Sequence, residues 1–151
     1  MTGAKRRAAP RPAGRRAAGI TPERLMAEAD RARRRAYAPY SEFAVGAALL
    51  TRAGRVVHGC NVENASFGLC MCAERTAALK AVSEGEREFT AVAVTAGAGE
   101  GSSPCGSCRQ FLHEFSPRMW VYWRDARGRI VRRRLDALLP EAFDLVRAKG
   151  R

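Results

Sequence analysis

The sequence predicts an α/β fold, arranged as a three-layer α/β/α domain on a five-stranded mixed sheet. Two observations indicate this fold. Short β-rich runs alternate with capped or amphipathic helical segments, and two strand-helix-strand units follow one another, which implies parallel crossovers. The chain has 151 residues and 46% hydrophobic content, enough for one domain with a substantial core.

The first nineteen residues differ in composition from the rest. They consist largely of Ala, Arg, Pro and Gly, which leaves too little apolar surface to offset the entropy of ordering. Six basic residues here supply half of the net charge of +12: Lys5, Arg6, Arg7, Arg11, Arg15 and Arg16. We therefore predict a disordered basic tail over residues 1–19 and a single domain over residues 20–151.

The same composition bears on location and partners. No run of about 18 apolar residues is present, and the N-terminus lacks the apolar block of a secretory signal. We therefore expect no membrane span and a cytoplasmic location. A second basic cluster, Arg129 with residues 132–134, lies in a predicted strand and its exit, where a solvated face is the simpler explanation. A nucleic-acid partner is not expected, because aromatic residues are not interleaved with these charges.

The first helix is predicted to begin at Thr21. Thr21 is a favourable N-cap, Pro22 suits the first helical position, and Glu23 faces the positive end of the helix dipole. Apolar residues at helical spacing form one narrow stripe that ends before the next proline: Leu25, Ala29, Ala32 and Ala36. This helix should pack on the sheet.

The remaining elements follow from β-rich runs and turn residues. Residues 43–51 and 56–62 are predicted strands, and the short link between them fits a hairpin. Later elements are a helix over 72–84 ending at Gly85, a strand over 89–95, a helix over 105–115, strands over 120–124 and 129–134, and a short helix over 135–139.

Three cysteines are expected to share one site. Cys72 and the pair Cys105 and Cys108 stand at the starts of two predicted helices, and helices that follow strands begin at the same edge of a sheet. Three thiolates leave one position of a tetrahedral zinc open, as in catalytic sites. Glu74 lies two residues beyond Cys72, where its carboxylate can carry protons for a water molecule at that position.

The other cysteines offer alternative explanations. The five cysteines could be the disulfide set of a small secreted protein, but their number is odd and no export signal is visible, which favours metal binding in a reducing compartment. Cys70 could be a fourth ligand, and it would then close the site and abolish catalysis. We expect Cys70 and Cys60 to take part in packing instead.

These motifs resemble the homotetrameric zinc-dependent cytidine deaminases. The resemblance rests on Asn-Val-Glu-Asn-Ala-Ser at 61–66, Cys-Ala-Glu-Arg-Thr-Ala at 72–77 and Pro-Cys-Gly-Ser-Cys-Arg-Gln at 104–110, with further matches at 40–49 and 138–143. It implies a cytidine deaminase-like fold and one Zn²⁺ per subunit. It also implies hydrolytic deamination of cytidine and deoxycytidine to uridine and deoxyuridine plus ammonia, in pyrimidine salvage.

The resemblance also implies roles for individual residues. Glu74 is the catalytic proton carrier, and Arg75 donates to the thiolates. Asn61 and Glu63 hydrogen-bond the ribose hydroxyls of a nucleoside substrate. The remaining contacts are Phe43 against the pyrimidine face, a backbone contact from Ala65, and Phe67 and Phe143 reaching a neighbouring subunit's pocket in a homotetramer with shared active sites.

Plainer explanations exist for several of these residues. Arg75 could make an ordinary surface ion pair, and Asn61 and Glu63 could be solvated residues at a strand end. Core packing is the alternative for the three phenylalanines.

Other functions also remain open. The basic tail motivates an editing deaminase acting on RNA or DNA, although the Asn-x-Glu pair suits a free nucleoside. Deamination of a cytosine-nucleoside antibiotic is less favoured, because the sequence of residues 61–66 resembles that of the cytidine-type enzymes. A non-catalytic zinc module, closed by Cys70, is the alternative from a different class.

Overall fold

A computed structural model of the protein describes residues 19–97 and 103–145. The predicted tail, apart from Gly19, lies outside the described residues. In chain order the elements are α1 Pro22–Arg33, β1 Gly46–Thr51, β2 Val56–Cys60, a 3₁₀ turn Phe67–Leu69, α2 Ala73–Ser83, β3 Phe89–Thr95, α3 Gly106–His113, β4 Trp120–Arg124, β5 Ile130–Arg134 and α4 Leu135–Leu138. Thr21 is the N-cap of α1, as predicted, and its hydroxyl accepts a hydrogen bond from the amide of Arg24.

The strands form the predicted five-stranded mixed sheet in the order β2-β1-β3-β4-β5. β1 is antiparallel to both of its neighbours, so Ala48 pairs with His58 on one side and with Ala93 on the other. β3 and β4 run parallel, joined by the crossover through α3, and β5 returns antiparallel to β4.

Helices cover both faces of the sheet, which confirms the three layers. On one face, Leu25, Met26 and Ala29 of α1 pack against small side chains of β1 and β3. On the other face, α2, α3 and α4 enclose a larger core around Leu49, Val92 and further buried residues of both layers. Among residues 19–97 and 103–145, no helix combines the length and apolar character needed to cross a bilayer.

Two strand glycines bring helices unusually close to the sheet. A Cβ atom on Gly46 would lie 2.2 Å from the carbonyl oxygen of Ala29 in α1. On Gly59 it would lie 2.2 Å from the carbonyl oxygen of Ala73 and 2.4 Å from the amide nitrogen of Ala77. No side chain fits at either position, so the first turn of α2 rests directly on β2.

The first two strands are shorter than predicted. The prediction extended β1 back to residue 43, but the strand begins at Gly46, because the amide of Val45 donates to the side-chain Oδ1 of Asn61 in place of a strand neighbour. The predicted second strand ran to Val62, but β2 ends at Cys60. Val62 instead forms isolated bridges to Tyr37 and Met71.

The outer strands carry cations. On β5 the guanidinium carbons of Arg132 and Arg134 lie 3.5 and 4.8 Å from the centroid of the Trp120 ring, so part of the basic cluster stacks on an aromatic residue as well as facing solvent. On β2, the Nζ of Lys80 donates a hydrogen bond to the carbonyl of His58.

Candidate active site

Two helix starts bring three thiols together. Cys72 is the N-cap of α2, Cys105 is the N-cap of α3, and Cys108 lies buried in the first turn of α3. The three sulfur atoms lie within 4.8 Å of one another. The structure thus brings Cys72 together with two cysteines that lie 33 and 36 positions further along the chain, as the sequence predicts.

The trio fits a zinc ion. With Zn–S bonds of about 2.3 Å, the sulfurs of a tetrahedral site stand about 3.8 Å apart, which small side-chain rotations can reach from the observed spacing. Thiolates are the soft ligands that zinc accepts. All five cysteines lie in the described residues and all are free thiols, so the disulfide explanation does not apply.

Cys70 stands apart from the three clustered thiols. Its sulfur accepts a hydrogen bond from the amide of Asn64 at 3.3 Å and lies 3.6 Å from the carbonyl of the same residue. Within the described residues the clustered metal-binding group consists of Cys72, Cys105 and Cys108. The arrangement therefore leaves a fourth coordination position without a protein sulfur.

Charge on the thiols is distributed unequally. Neither Cys72 nor Cys105 uses its sulfur to cap its helix. The pKa of Cys72 is lowered to about 5, chiefly by a hydrogen bond from Cys108 and also by Arg75, whose Nη2 donates to the Cys72 sulfur at 3.3 Å. The same hydrogen bond raises the pKa of Cys108 well above its usual range. Metal binding would therefore have to release a proton from Cys108.

Glu74 is a buried acid beside this cluster. It lies in the first turn of α2 and its residue is only 4% exposed. Burial raises the pKa of its carboxyl group, and the negative charge of Cys72 raises it further, while a hydrogen bond with Cys108 has the opposite effect. A carboxyl with a raised pKa can both accept and donate protons near neutral pH.

The side chains of Asn61 and Glu63 form hydrogen bonds with the loop that carries Phe43. The Nδ2 of Asn61 donates to the carbonyl of Phe43 at 2.8 Å, while its Oδ1 accepts from the amide of Val45. One carboxylate oxygen of Glu63 accepts from the amides of Tyr40 and Ser41, and the other meets the Ser41 hydroxyl. The hydrogen bond to that hydroxyl is the main reason that the pKa of Glu63 is lowered.

The aromatic residues lie largely in solvent. Phe67 is 71% exposed and Phe143 is 65% exposed, so core packing is ruled out for both, whereas Phe43 is 38% exposed. The Phe67 ring meets the Tyr40 ring edge-on at a centroid distance of 5.8 Å. Ala65 is exposed in a turn closed by the hydrogen bond from the Ser66 amide to Asn64 Oδ1.

Comparison with known families decides the class of the protein. Residues 20–124 match the family model described as the cytidine and deoxycytidylate deaminase zinc-binding region. This range includes Cys72, Cys105 and Cys108. The chain belongs to this deaminase family.

Individual relatives agree with the deaminase assignment. The chain is 50% identical over 122 residues to a cytidine deaminase of Sporosarcina psychrophila, covering 80% of this chain and 90% of the relative. It is 46% identical over 121 residues to a cytidine deaminase of Mycobacterium tuberculosis, covering 80% of this chain and 88% of that one.

Solved deaminase structures share the fold. A cytidine deaminase structure from Burkholderia pseudomallei matches with a TM-score of 0.78 and 48% identity, covering 82% of this chain and 100% of that chain. One from Mycobacterium tuberculosis matches with a TM-score of 0.74 and 43% identity, covering 83% and 99% of the two chains. The cytidine deaminase-like fold predicted from the sequence is thereby confirmed.

Two residues of this deaminase were missed by sequence reasoning. Arg109 donates to the carbonyls of Pro104 and Leu138 and to the Ser103 hydroxyl, so it holds the segment that precedes Cys105. Gln110 bonds to the backbone of Phe143. Both lie inside the Pro-Cys-Gly-Ser-Cys-Arg-Gln motif, whose polar residues beyond the cysteines were the available signal.

Proposed function

We propose that this chain catalyses the zinc-dependent hydrolytic deamination of cytidine and deoxycytidine to uridine and deoxyuridine plus ammonia, in pyrimidine salvage. The observation that carries the proposal is the buried Glu74 carboxyl group beside three convergent thiols, in a member of the deaminase family. Relatives named cytidine deaminase, at 46 to 50% identity, support this substrate class.

Cys72, Cys105 and Cys108 would hold the zinc, which when bound makes water acidic enough to attack at neutral pH. Glu74 takes the proton released by the attacking water and delivers it to ring nitrogen N3. After water has added at C4, Glu74 takes the remaining proton from the new C4 hydroxyl group and gives it to the amine, so that the C4–N bond breaks, ammonia leaves and the C4 carbonyl of uridine forms. Its raised pKa suits this exchange, because the carboxyl must alternate between both protonation states.

Arg75 offsets the negative charge of the thiolates. Three thiolates around one divalent ion leave a net charge of −1, which opposes the loss of a proton from water. The guanidinium of Arg75 donates to Cys72 and withdraws part of that charge.

The substrate contacts inferred from the family resemblance remain part of the proposal. Asn61 and Glu63 would form hydrogen bonds with the ribose hydroxyls. Asn61 has one N–H and one oxygen lone pair that its bonds to the loop do not use, and the carboxylate oxygens of Glu63 have further lone pairs. Phe43 would stack on the pyrimidine, and Ala65 would offer a backbone contact to the base. The exposed positions of Phe43 and Ala65 support these roles.

We place the reaction in a homotetramer with shared sites, in the cytoplasm. Phe67 and Phe143 expose rings that would complete the pocket of a neighbouring subunit. Further exposed apolar side chains support an interface of this kind: Tyr37, Tyr40, Val62 and Leu69. A reducing compartment would keep the zinc thiols from pairing.

The test replaces the buried acid and preserves its shape. Glu74→Gln should retain one zinc per chain and its fold, but lose at least about 100-fold in kcat for cytidine, because general acid–base catalysis contributes 10²–10⁴-fold. Ammonia release and loss of cytosine absorbance measure turnover, and Glu114→Gln, at the exposed end of α3, is the matched control. Undiminished turnover in Glu74→Gln would contradict the mechanism, and preferred turnover of single-stranded oligonucleotide would contradict the substrate.

A further inference from the structure

Gln110 holds the backbone of Phe143 from both sides. Its Nε2 donates to the carbonyl of Phe143 at 2.8 Å, and its Oε1 accepts from the Phe143 amide at 3.0 Å. One carboxamide thus supplies the same pair of hydrogen bonds that a neighbouring strand would supply. Residues 142–144 belong to no helix or strand, so this side chain takes the place of secondary structure there.

The anchored residue presents its ring to solvent. Phe143 is 65% exposed although both polar groups of its backbone are bonded. An exposed ring on a fixed backbone loses less freedom when it binds than one on a free segment. The geometry is therefore suited to a contact with a second molecule.

Arg109 secures the other end of the same segment. Its Nη1 donates to the carbonyl of Leu138 at 3.0 Å, and Leu138 ends α4. Consecutive residues of α3 therefore hold both ends of residues 138–143. The same helix carries Cys108, and its N-cap is Cys105. The position of Phe143 is thus tied to the helix that bears two of the metal-binding thiols.

We infer that Gln110 is a positioning residue for deamination, which fixes Phe143 so that its ring completes the active site of a second copy of this chain. The inference rests on the proposed function. Gln110 touches neither the thiols nor the substrate in this role, and it acts only through Phe143.

The experiment is a double-mutant cycle on the zinc-loaded full chain. Gln110→Met removes both hydrogen bonds at nearly constant size. The KM for cytidine should rise about tenfold with kcat within about twofold, because two modest hydrogen bonds are lost. Phe143→Ala should also raise KM, and the double variant should match Phe143→Ala alone, since Gln110 acts only through that ring.

Two further measurements separate positioning from general stability. Hydrogen exchange of the Phe143 amide should accelerate in Gln110→Met, while zinc content stays at one per chain. Glu114→Met, one turn further along α3, should change neither quantity. Gln110→Glu keeps the acceptor for the Phe143 amide but sets a carboxylate against the Phe143 carbonyl, so it should raise KM and accelerate exchange at least as much as Gln110→Met, and it replaces that variant if it fails to fold.

The outcomes are distinct. An unchanged KM despite faster exchange, or additive effects in the double variant, would overturn the positioning role. If the wild-type chain shows no turnover, the proposed function fails, and the role of Gln110 is then judged on self-association. Equal subunit dissociation constants for wild type and Gln110→Met would overturn it in that case.

Discussion

At the scale of single residues, the polar side chains proposed to meet the ribose already bind the protein itself. The carboxamide of Asn61 forms hydrogen bonds with the backbone of Phe43 and Val45. The carboxylate of Glu63 accepts hydrogen bonds from the amides of Tyr40 and Ser41. The loop that carries Phe43 therefore takes its shape from the residues that would bind the sugar. If Asn61 and Glu63 bind the sugar as proposed, sugar binding and the placement of the Phe43 ring would be coupled.

Asn61→Asp tests this coupling. The aspartate keeps an acceptor for the Val45 amide but sets a carboxylate against the carbonyl of Phe43, so we expect about 1–3 kcal/mol of destabilisation. The KM for cytidine should rise as well, because Phe43 moves. Urea unfolding and steady-state kinetics measure the two effects. Asn64→Asp is the control, since its acceptor role toward Ser66 survives. Unchanged stability would show that the hydrogen bonds of Asn61 to Phe43 and Val45 contribute little to the fold.

The sequence was informative for residues whose chemistry is distinctive. The spacing of Cys72, Cys105, Cys108 and Glu74 predicted a shared site, and the structure brings the three sulfurs together. The bonds of Asn61 and Gln110 were not foreseen. Their partners are backbone groups 16 to 33 positions away, and any residue type supplies such groups, so no pattern marks them.

At the scale of elements, the seating of α2 on β2 determines where Glu74 lies. Gly59 lets the backbone of Ala73 approach the strand, and Glu74 is the next residue along the helix. A larger residue at position 59 would push away the turn that carries both Cys72 and Glu74.

Gly59→Ala should therefore affect stability and activity together. Overpacking of this kind typically costs about 1–3 kcal/mol, and kcat should fall because the acid moves relative to the thiols. Gly97→Ala is the matched control, because a Cβ there meets nothing within 4 Å. The urea midpoint and kcat provide the measurements. If Gly59→Ala unfolds at the same urea concentration as the wild type, then α2 can shift away from β2 without loss of stability.

Element ends were harder to predict than the elements themselves. The strand over 89–95 and the ending of α2 before Gly85, which has φ of 94°, were predicted correctly. The errors at residues 43–45 and 61–62 arose where Asn61 replaced a strand neighbour and where Val62 changed partners. β-propensity continues through such points even though strand pairing stops.

At the scale of the whole molecule, one chain presents aromatic rings that it does not itself enclose. Phe67 and Phe143 are both largely exposed. A site completed by a neighbouring subunit would depend on assembly as well as on folding. In the sequence, only the family resemblance pointed to a site completed by a neighbouring subunit. Whether a ring is exposed depends on the fold, so no local pattern could show it.

Mixing two defective chains tests whether sites are shared. Glu74→Gln subunits lack the acid but keep Phe143, while Phe143→Ala subunits keep the acid. If the ring crosses between subunits, reassembled mixtures should recover a wild-type KM in a fraction of sites. A mixture with Phe43→Ala should show no such recovery, because Phe43 is proposed to stack on the pyrimidine bound in its own subunit. A mixture that keeps the KM of Phe143→Ala alone would place that ring in its own site.

The cations on the outer strands have a consequence for how copies can meet. The ammonium group of Lys80 donates a hydrogen bond to the His58 carbonyl of edge strand β2. On the other edge strand, β5, the guanidinium groups of Arg132 and Arg134 stack on the Trp120 ring. An incoming strand would have to strip these charges of water before it could pair, so edge-to-edge growth is unfavourable. If copies associate as proposed, their contacts would form through the loops and helices instead, which would favour a closed particle of fixed size over an open fibre.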